Sequence, residues 1–390
     1  MPSILMVAYT NYRRDPRVRR EAEALVEAGH RVVFYACRQA SEPNREIISG
    51  VEVIKLFSFR HGRKSAFGYV VDYASFFLQV FARLTAHPRR YALIHVNNMP
   101  DLLAFAALGP RLAGVPVILD IHDLMPELAM EKFSGRGNRM LVWGLKLQER
   151  LAGKFATLVL TVEERLKEIL SHRGLSPSKI HVLMNLPDEA IFQRAEGPST
   201  RQATRFTVIY HGTLARRLGL DIAIRAVALA RQSIPEIEFR IIGDGEERGA
   251  LVALARELGL ADAVRFSDGF VPVDRIPAMI HDAHVGLVPL RISAGTDIML
   301  PTKLLEYVYL GIPCIVPETT TIRRYFDQKM VRFFQADDVD SLASAIVSLH
   351  QHPGARVGLA RESTARFANV YRWSSQKLAY VQTVERLLRR

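Results

Sequence analysis

The run Leu300-Pro301-Thr302-Lys303-Leu304-Leu305-Glu306-Tyr307 sets a cation and an anion one helical turn apart behind a proline. Pro301 at a first helical position, Gly311 just past the last and Pro313 two residues later predict a short helix. The apolar Cys314-Ile315-Val316 behind it predicts a buried strand. A helix opened by proline leaves its first N–H groups pointing outward, and these with the helix dipole favour an anion. Lys303, in that first turn, opposes the dipole unless something negative is bound. Glu306 follows one turn later on the same face. A phosphate near Lys303 and a sugar diol near Glu306 would account for both charges. A solvated Lys–Glu pair would account for them equally.

Other loops carry polar groups at the ends of apolar runs. Ile118-Leu119-Asp120-Ile121-His122-Asp123 puts a histidine at a strand end, with Glu127 shortly after, a set able to orient a substrate or shuttle a proton. Tyr210-His211-Gly212-Thr213-Leu214 is followed by Arg216, Arg217 and Gly219; glycine allows close backbone approach and arginine binds phosphate bidentately. Gly243-Asp244-Gly245-Glu246 is a tight turn that lacks the third glycine of a dinucleotide fingerprint. Arg13, Arg14, Arg17, Arg19 and Arg20 crowd the first loop and helix, as a receptor for an anionic acceptor or as a solvated face. Histidines and acids do not cluster at metal-ligand spacing, and neither a Gly-x-Ser-x-Gly elbow nor a Walker A loop is present.

These loops need a frame, and the chain supplies one. Apolar strands are expected at Ile4–Ala8, Arg31–Tyr35, Leu93–Val96, Val115–Leu119, Thr157–Thr161 and His181–Met184, with helices between, the first over Pro16–Ala28. Such alternation predicts a parallel sheet covered on both faces. The polar stretch 193–205 reads as a linker. After it the pattern restarts, with strands at Phe206–Tyr210, Glu238–Ile242, Val264–Phe266, Val285–Val288 and Cys314–Val316 and helices near Asp221–Gln232, Glu246–Leu258 and Pro301–Leu310. The expectation is two Rossmann-like α/β domains, 1–192 and 206–373, with a last helix from about 374 that packs back on either half.

Length and composition agree with an ordinary enzyme: 390 residues, 49% hydrophobic and 24% charged. Cys37 and Cys314 lie far apart in apolar contexts and form no framework, which fits a cytoplasmic location. No run of eighteen uncharged apolar residues suggests a spanning helix. The net charge of +12 needs a partner. Between Lys55 and Arg90 seven basic residues face one acid, Asp72, and Tyr69, Val70, Tyr73, Phe76, Phe77, Val80 and Phe81 lie among them at near-helical spacing. That reads either as a helix docked peripherally on an anionic membrane surface or as a core-facing helix with solvated arginines. Nucleic acid is not expected, since no helix-turn-helix, RNP or zinc-finger pattern occurs.

Taken in order, the motifs resemble the GT-B glycosyltransferases, specifically the retaining GT4 family, over nearly the whole chain. Asp15–Ala22 with Ala28-Gly29-His30 is similar to that family's first helix, and Asp120–Asp123 with Pro126-Glu127 to its acceptor-side histidine motif. Val182–Asn185 with Asp188 and Phe192 resembles the element before the linker. Tyr210–Gly219, Gly243–Glu246, Phe266–Gly269 and Pro301–Pro313 resemble the donor-domain motifs. The resemblance implies two doubly wound domains facing across a cleft. It implies a nucleotide-diphosphate sugar as donor and a glycan or lipid-linked acceptor, as in polysaccharide or glycoconjugate synthesis. No metal is implied, and the anomeric configuration is retained. By the resemblance Glu306 holds the ribose hydroxyls, the loops at Gly243 and Gly245 line the base, and basic residues after Gly212 neutralise the diphosphate. His122 reaches the donor sugar. Two positions depart from the family pattern. Ile298 stands where a first glutamate is usual, leaving Asp297 as its substitute. Thr213 and Leu218 stand where basic residues are usual, leaving Arg217, with Arg216, for the phosphate, and Lys303 as a further candidate. An epimerase of the same fold and a non-enzymatic binding subunit are the alternative readings.

Overall fold

The short apolar runs assemble into two parallel sheets. The computed structural model describes residues 2–38, 42–56, 66–132, 138–193 and 205–389, and the chain separates into two units. One holds residues up to Asn185 together with those from Ser375 on; the other spans Leu186–Ser374. The expected linker falls mostly on 194–204, outside the described residues.

The first unit contains β1 (Ser3–Ala8), β2 (Arg31–Cys37), β3 (Arg45–Ile48), β4 (Val51–Leu56), β5 (Leu93–Asn97), β6 (Val117–Ile121), β7 (Leu158–Thr161) and β8 (Ile180–Val182). They lie in the order β3-β4-β2-β1-β5-β6-β7-β8, all parallel except the edge pair β3–β4. Around the sheet run α1 (Pro16–Glu27), α2 (Ala66–Ala86), α3 (Leu108–Leu112), α4 (Met125–Lys132), α5 (Asn138–Phe155) and α6 (Glu164–His172). Asp15 caps α1 through its side chain, with Pro16 just inside the helix. Phe76, Val80 and Leu84 repeat every fourth residue along α2 and pack on Leu5, Val7 and Ile94 of the sheet. β6 starts two residues later than expected, because Pro116 has no N–H for the ladder and only its carbonyl is used, by Ile94.

The second unit contains β9 (Phe206–His211), β10 (Ile237–Ile242), β11 (Val264–Phe266), β12 (Val285–Leu287), β13 (Cys314–Pro317) and β14 (Arg332–Phe334), in the order β11-β10-β9-β12-β13-β14. All pairs are parallel. Its helices are α7 (Leu220–Ala230), α8 (Arg248–Glu257), α9 (Ile276–Ile280), α10 (Thr302–Leu310), α11 (Thr320–Tyr325), α12 (Val339–Gln351) and α13 (Pro353–Ser363). The final helix, α14 (Trp373–Leu388), starts in this unit and continues into the first.

Structure and expectation part company on the segment read as membrane-facing. Lys55 is not a basic flank: it lies within β4, buried, with its ammonium 3.2 Å from Glu42 and paired with Glu46. Arg60, Arg63 and Lys64 lie outside the described residues. The Phe76–Val80 stripe of α2 faces the core, so the core-facing reading holds for this helix. The β3–β4 hairpin went unread because its turn is Ser49-Gly50, both at positive φ (48° and 79°), and its strands are half polar. No described helix is long and apolar enough to cross a membrane.

Gly286 sits in β12 directly under the ring of Tyr307, where a Cβ would lie 2.5–2.9 Å from ring carbons. Gly286→Ala is therefore expected to overpack the strand–helix contact by about 1–3 kcal/mol. A drop of several degrees in melting temperature is the result to look for; an unchanged melting temperature would mean the ring moves freely.

Candidate active site

In a doubly wound sheet, ligands sit outside the carboxyl ends of the strands where the strand order reverses. In the second unit that point lies between β9 and β12. The loop after β9 begins at His211, and α10 starts at the same edge before running back to β13. Pro301 is the residue before the helix, extended at φ −68° and ψ 126°, not the first helical residue as expected. Thr302 opens the helix and Gly311 closes it at φ 74°, as a glycine is needed to do.

Lys303 and Glu306 do not form the solvated pair. Lys303 is only 8% exposed, and its ammonium lies 4.9 Å from the centre of the Tyr210 ring. Burial, reinforced by Arg217 and opposed by Glu306, lowers its pKa from 10.5 to about 8. Among the described residues no carboxylate pairs with it. Glu306 turns instead to His211, whose Nε2 its carboxylate meets in a hydrogen bond. The opposite ring nitrogen of His211, Nδ1, lies 3.1 Å from the Tyr307 hydroxyl, and the His211 backbone N–H donates to the same hydroxyl at 3.2 Å. Glu306 is thus aimed by a buried chain that runs through its neighbour. Sequence reasoning quoted His211 only as part of a loop; a histidine at a strand end was the sole signal.

The motif glycines explain themselves partly by packing. A Cβ on Gly212 would lie 3.3 Å from Lys303 Cε and 3.5 Å from Nζ, so this glycine leaves room for the lysine. Gly243, at φ 139°, abuts the backbone of Gly212, and Gly245 abuts that of Leu214. Two adjacent loops are therefore stacked backbone to backbone, and a third holds Gly243 N–H through Ser267 Oγ at 2.9 Å. Arg217 is half-buried and acts electrostatically on both Lys303 and Tyr210, whereas Arg216 is exposed. Asp297 Oδ1 accepts the Thr320 N–H at 2.8 Å and its carbonyl accepts Thr321 N–H, so it secures the start of α11. Its other carboxylate oxygen accepts no hydrogen bond among the described residues.

The first unit has its own polar centre beyond β5 and β6. Asp120 Oδ2 lies 2.8 Å from His122 Nε2 and 3.7 Å from His95 Nε2, and accepts from Asn97 at 3.0 Å. Glu21 of α1 accepts from the same amide at 3.3 Å. Ligand atoms of Glu21, Asp120 and His122 all lie within 4.8 Å of one another, a convergence invisible to spacing because α1 and β6 are far apart in the chain. Burial and then Asp120 push Glu21 well above the usual carboxylate range, which favours its neutral form. Burial would also raise Asp120, but His122 and His95 hold it below that range. Tyr380 of α14 closes the set, its hydroxyl 2.9 Å from His95 Nδ1. The His122 backbone is staked separately by Asn98 Oδ1 at 2.9 Å.

The arginines of the first loop are occupied within the chain. Arg13 meets Glu46 at 2.5 Å, Arg17 grips Asp15 at 3.0 and 3.1 Å, Arg19 meets Glu23, and Arg20 donates to Asn185 at 3.1 Å. Such pairing favours the surface reading over an acceptor receptor.

Comparisons with known proteins agree with this architecture. The family described as "Glycosyl transferase 4-like domain" matches residues 15–185, and "Glycosyl transferases group 1" matches 205–352. A 2-deoxystreptamine glucosyltransferase of Streptomyces kanamyceticus is 27% identical over 50% of this chain and 52% of its own, so the match spans about half of that relative. An MMP alpha-(1->4)-mannosyltransferase of Mycolicibacterium hassiacum is 24% identical over 77% of this chain and 72% of its own. Among solved structures, HepE of Anabaena in complex with UDP-glucose superposes with a TM-score of 0.73 at 18% identity, covering 99% of this chain and 100% of that one. At that identity the likeness shows the fold. Two doubly wound units and these matches define the class, a GT-B glycosyltransferase. The chain belongs to that class with the paired domains of the GT4 type.

Glu21 gives a test with a defined sign. A carboxyl whose pKa is raised on folding stabilises the folded state below its unfolded pKa, and that contribution is lost as pH rises toward the folded pKa. Glu21→Gln keeps the neutral shape, so the variant is expected to lose less stability than wild type as pH rises above the ordinary carboxylate range in urea melts. Parallel curves would show that Glu21 is ionised.

Proposed function

We propose that the protein is a retaining glycosyltransferase that moves a sugar from a nucleotide-diphosphate donor to a glycan or lipid-linked acceptor, with no metal required. The carrying observation is Lys303, a buried cation with no carboxylate partner among the described residues, at the switch point of the second sheet. A diphosphate would supply the missing charge, and α10 offers its N–H groups beside it. Glu306, one turn along and aimed by His211, has the geometry to accept from a ribose diol. HepE, whose structure holds UDP-glucose, supports the donor class.

In this reading the leaving diphosphate is stabilised by Lys303 and Arg217, which carry charge the transition state needs most. Retention follows if the acceptor attacks from the leaving-group side and the departing phosphate takes its proton. His122, held by Asp120, has the donor-sugar role that the resemblance gives it. Arg216 is exposed and serves at most the outer phosphate. Gly212, Gly243 and Gly245 shape the wall by letting loops stack. Asp297 keeps one oxygen for the sugar. The buried free thiols Cys37 and Cys314 suit a reducing compartment such as the cytoplasm.

The direct test is thermal stabilisation by UDP-, GDP- and ADP-sugars without added metal. One nucleotide should raise the melting temperature, and chelator should leave the shift intact. Glu306→Gln is expected to weaken that donor by roughly tenfold or more, the scale of a hydrogen bond to a charged group. Arg217→Ala should lower turnover more than donor affinity. No shift with any nucleotide sugar, or epimerised donor released without acceptor, would overturn the assignment.

A further inference from the structure

One helix of the first unit wears its apolar stripe on the outside. With 3.6 residues per turn, Met140, Trp143, Leu147 and Leu151 fall on one line of α5. They are 81%, 65%, 39% and 49% exposed. Gly144 lies in the same stripe, and nothing stands within 4 Å of where its Cβ would be. The opposite side of α5 is the packed one. Ala152 is buried there, and Glu149 is gripped by Arg173 at 2.9 and 3.0 Å. The same Arg173 pairs with Glu127 of α4, so α5 is clamped in this orientation.

Charge accompanies the stripe. Arg139, Lys146, Arg150 and Lys154 run along one flank of it, all exposed. Glu149 is the only acid in α5 and faces inward. A second copy of the chain would oppose these cations with the same four across a two-fold axis, which is repulsive. An anionic lipid surface satisfies both features at once: the tryptophan and aliphatic groups enter the headgroup boundary while the flanking cations meet lipid phosphates.

We propose that α5 docks the protein on an anionic lipid surface through Met140, Trp143, Leu147 and Leu151, with Arg139, Lys146, Arg150 and Lys154 as the electrostatic flank. The docking face is thus α5, not the 55–90 segment that the sequence singled out. α5 feeds β7, so its first turns lie toward the carboxyl edge of the sheet, the edge that carries His122. On the glycosyltransferase reading this would bring a lipid-linked acceptor to the working edge; the docking itself does not depend on that reading.

The test is co-sedimentation of the full chain, without nucleotide, with phosphatidylcholine vesicles alone and with added phosphatidylglycerol. The protein has two tryptophans, and Trp373 is buried, so a change in emission reports Trp143. Pelleting with the anionic vesicles and a blue shift of Trp143 are expected. Arg139→Ala with Lys146→Ala should reduce partitioning on the order of 20-fold. Trp143→Ser with Leu147→Ser should abolish the pelleting, while melting curves in buffer stay those of wild type. Three results would overturn the proposal: no pelleting, binding unchanged in both variants, or a dimer by light scattering that Trp143→Ser dissolves. None of these bears on nucleotide-sugar stabilisation, so the donor site stands or falls separately.

Discussion

An ammonium group buried against a tyrosine ring, with no carboxylate paired to it among the described residues, is the constraint around which the second unit is arranged. Burial lowers the pKa of Lys303 to about 8, so the folded protein holds this cation at a cost that a bound anion would relieve. The neighbouring parts make sense as ways of keeping the lysine available. Gly212 lacks the Cβ that would press on the lysine Cε, and Tyr210 offers a π-face in place of an anion. Most telling is Glu306. One turn away, it would quench the lysine if free, but His211 draws it aside, and Tyr307 fixes His211 from below. Cation and carboxylate are separated so that each can meet a different part of one ligand.

The first unit solves the opposite problem. Its buried charge is the anion Asp120, and it is satisfied on several sides by His122, His95 and Asn97. Burial and the nearby Asp120 charge then push Glu21 well above the usual carboxylate range. Asp101 of the same unit is raised for a different reason, pushed by burial up to about 6 against a hydrogen bond from Asn98. The result is a histidine whose ring is fixed by a charge and whose backbone is fixed by Asn98. Tyr380 ties this centre to the last helix of the chain, which accounts for a C-terminal segment returning to the N-terminal sheet.

Much of this was legible from residue order. Strand positions were readable because parallel strands buried on both faces are short continuous apolar runs, and glycines such as Gly311 marked helix ends. The chemistry at Lys303 and Glu306 was also visible, since both lie in one helical turn. What stayed hidden depends on distance in the chain. His95, Tyr380 and Glu21 come from three elements and meet only once the sheet forms. Likewise a basic, aromatic stretch such as 55–90 cannot reveal which side it buries; the sheet took the Phe76–Val80 face and Glu42 and Glu46 took Lys55. On α5 the same ambiguity resolved the other way, with the apolar stripe left outside.

The central claim is that Lys303 is the cation that receives the donor diphosphate. Calorimetry in two buffers of different ionisation enthalpy measures it directly, as the number of protons taken up when a stabilising nucleotide sugar binds. The diphosphate of such a donor is a diester and does not titrate near neutral pH. A lysine half-neutral near pH 8 that becomes fully charged should take up roughly half a proton there and almost none near pH 6. Lys303→Met should abolish the uptake. Binding without proton uptake at pH 8, or the same uptake in the variant, would contradict the account.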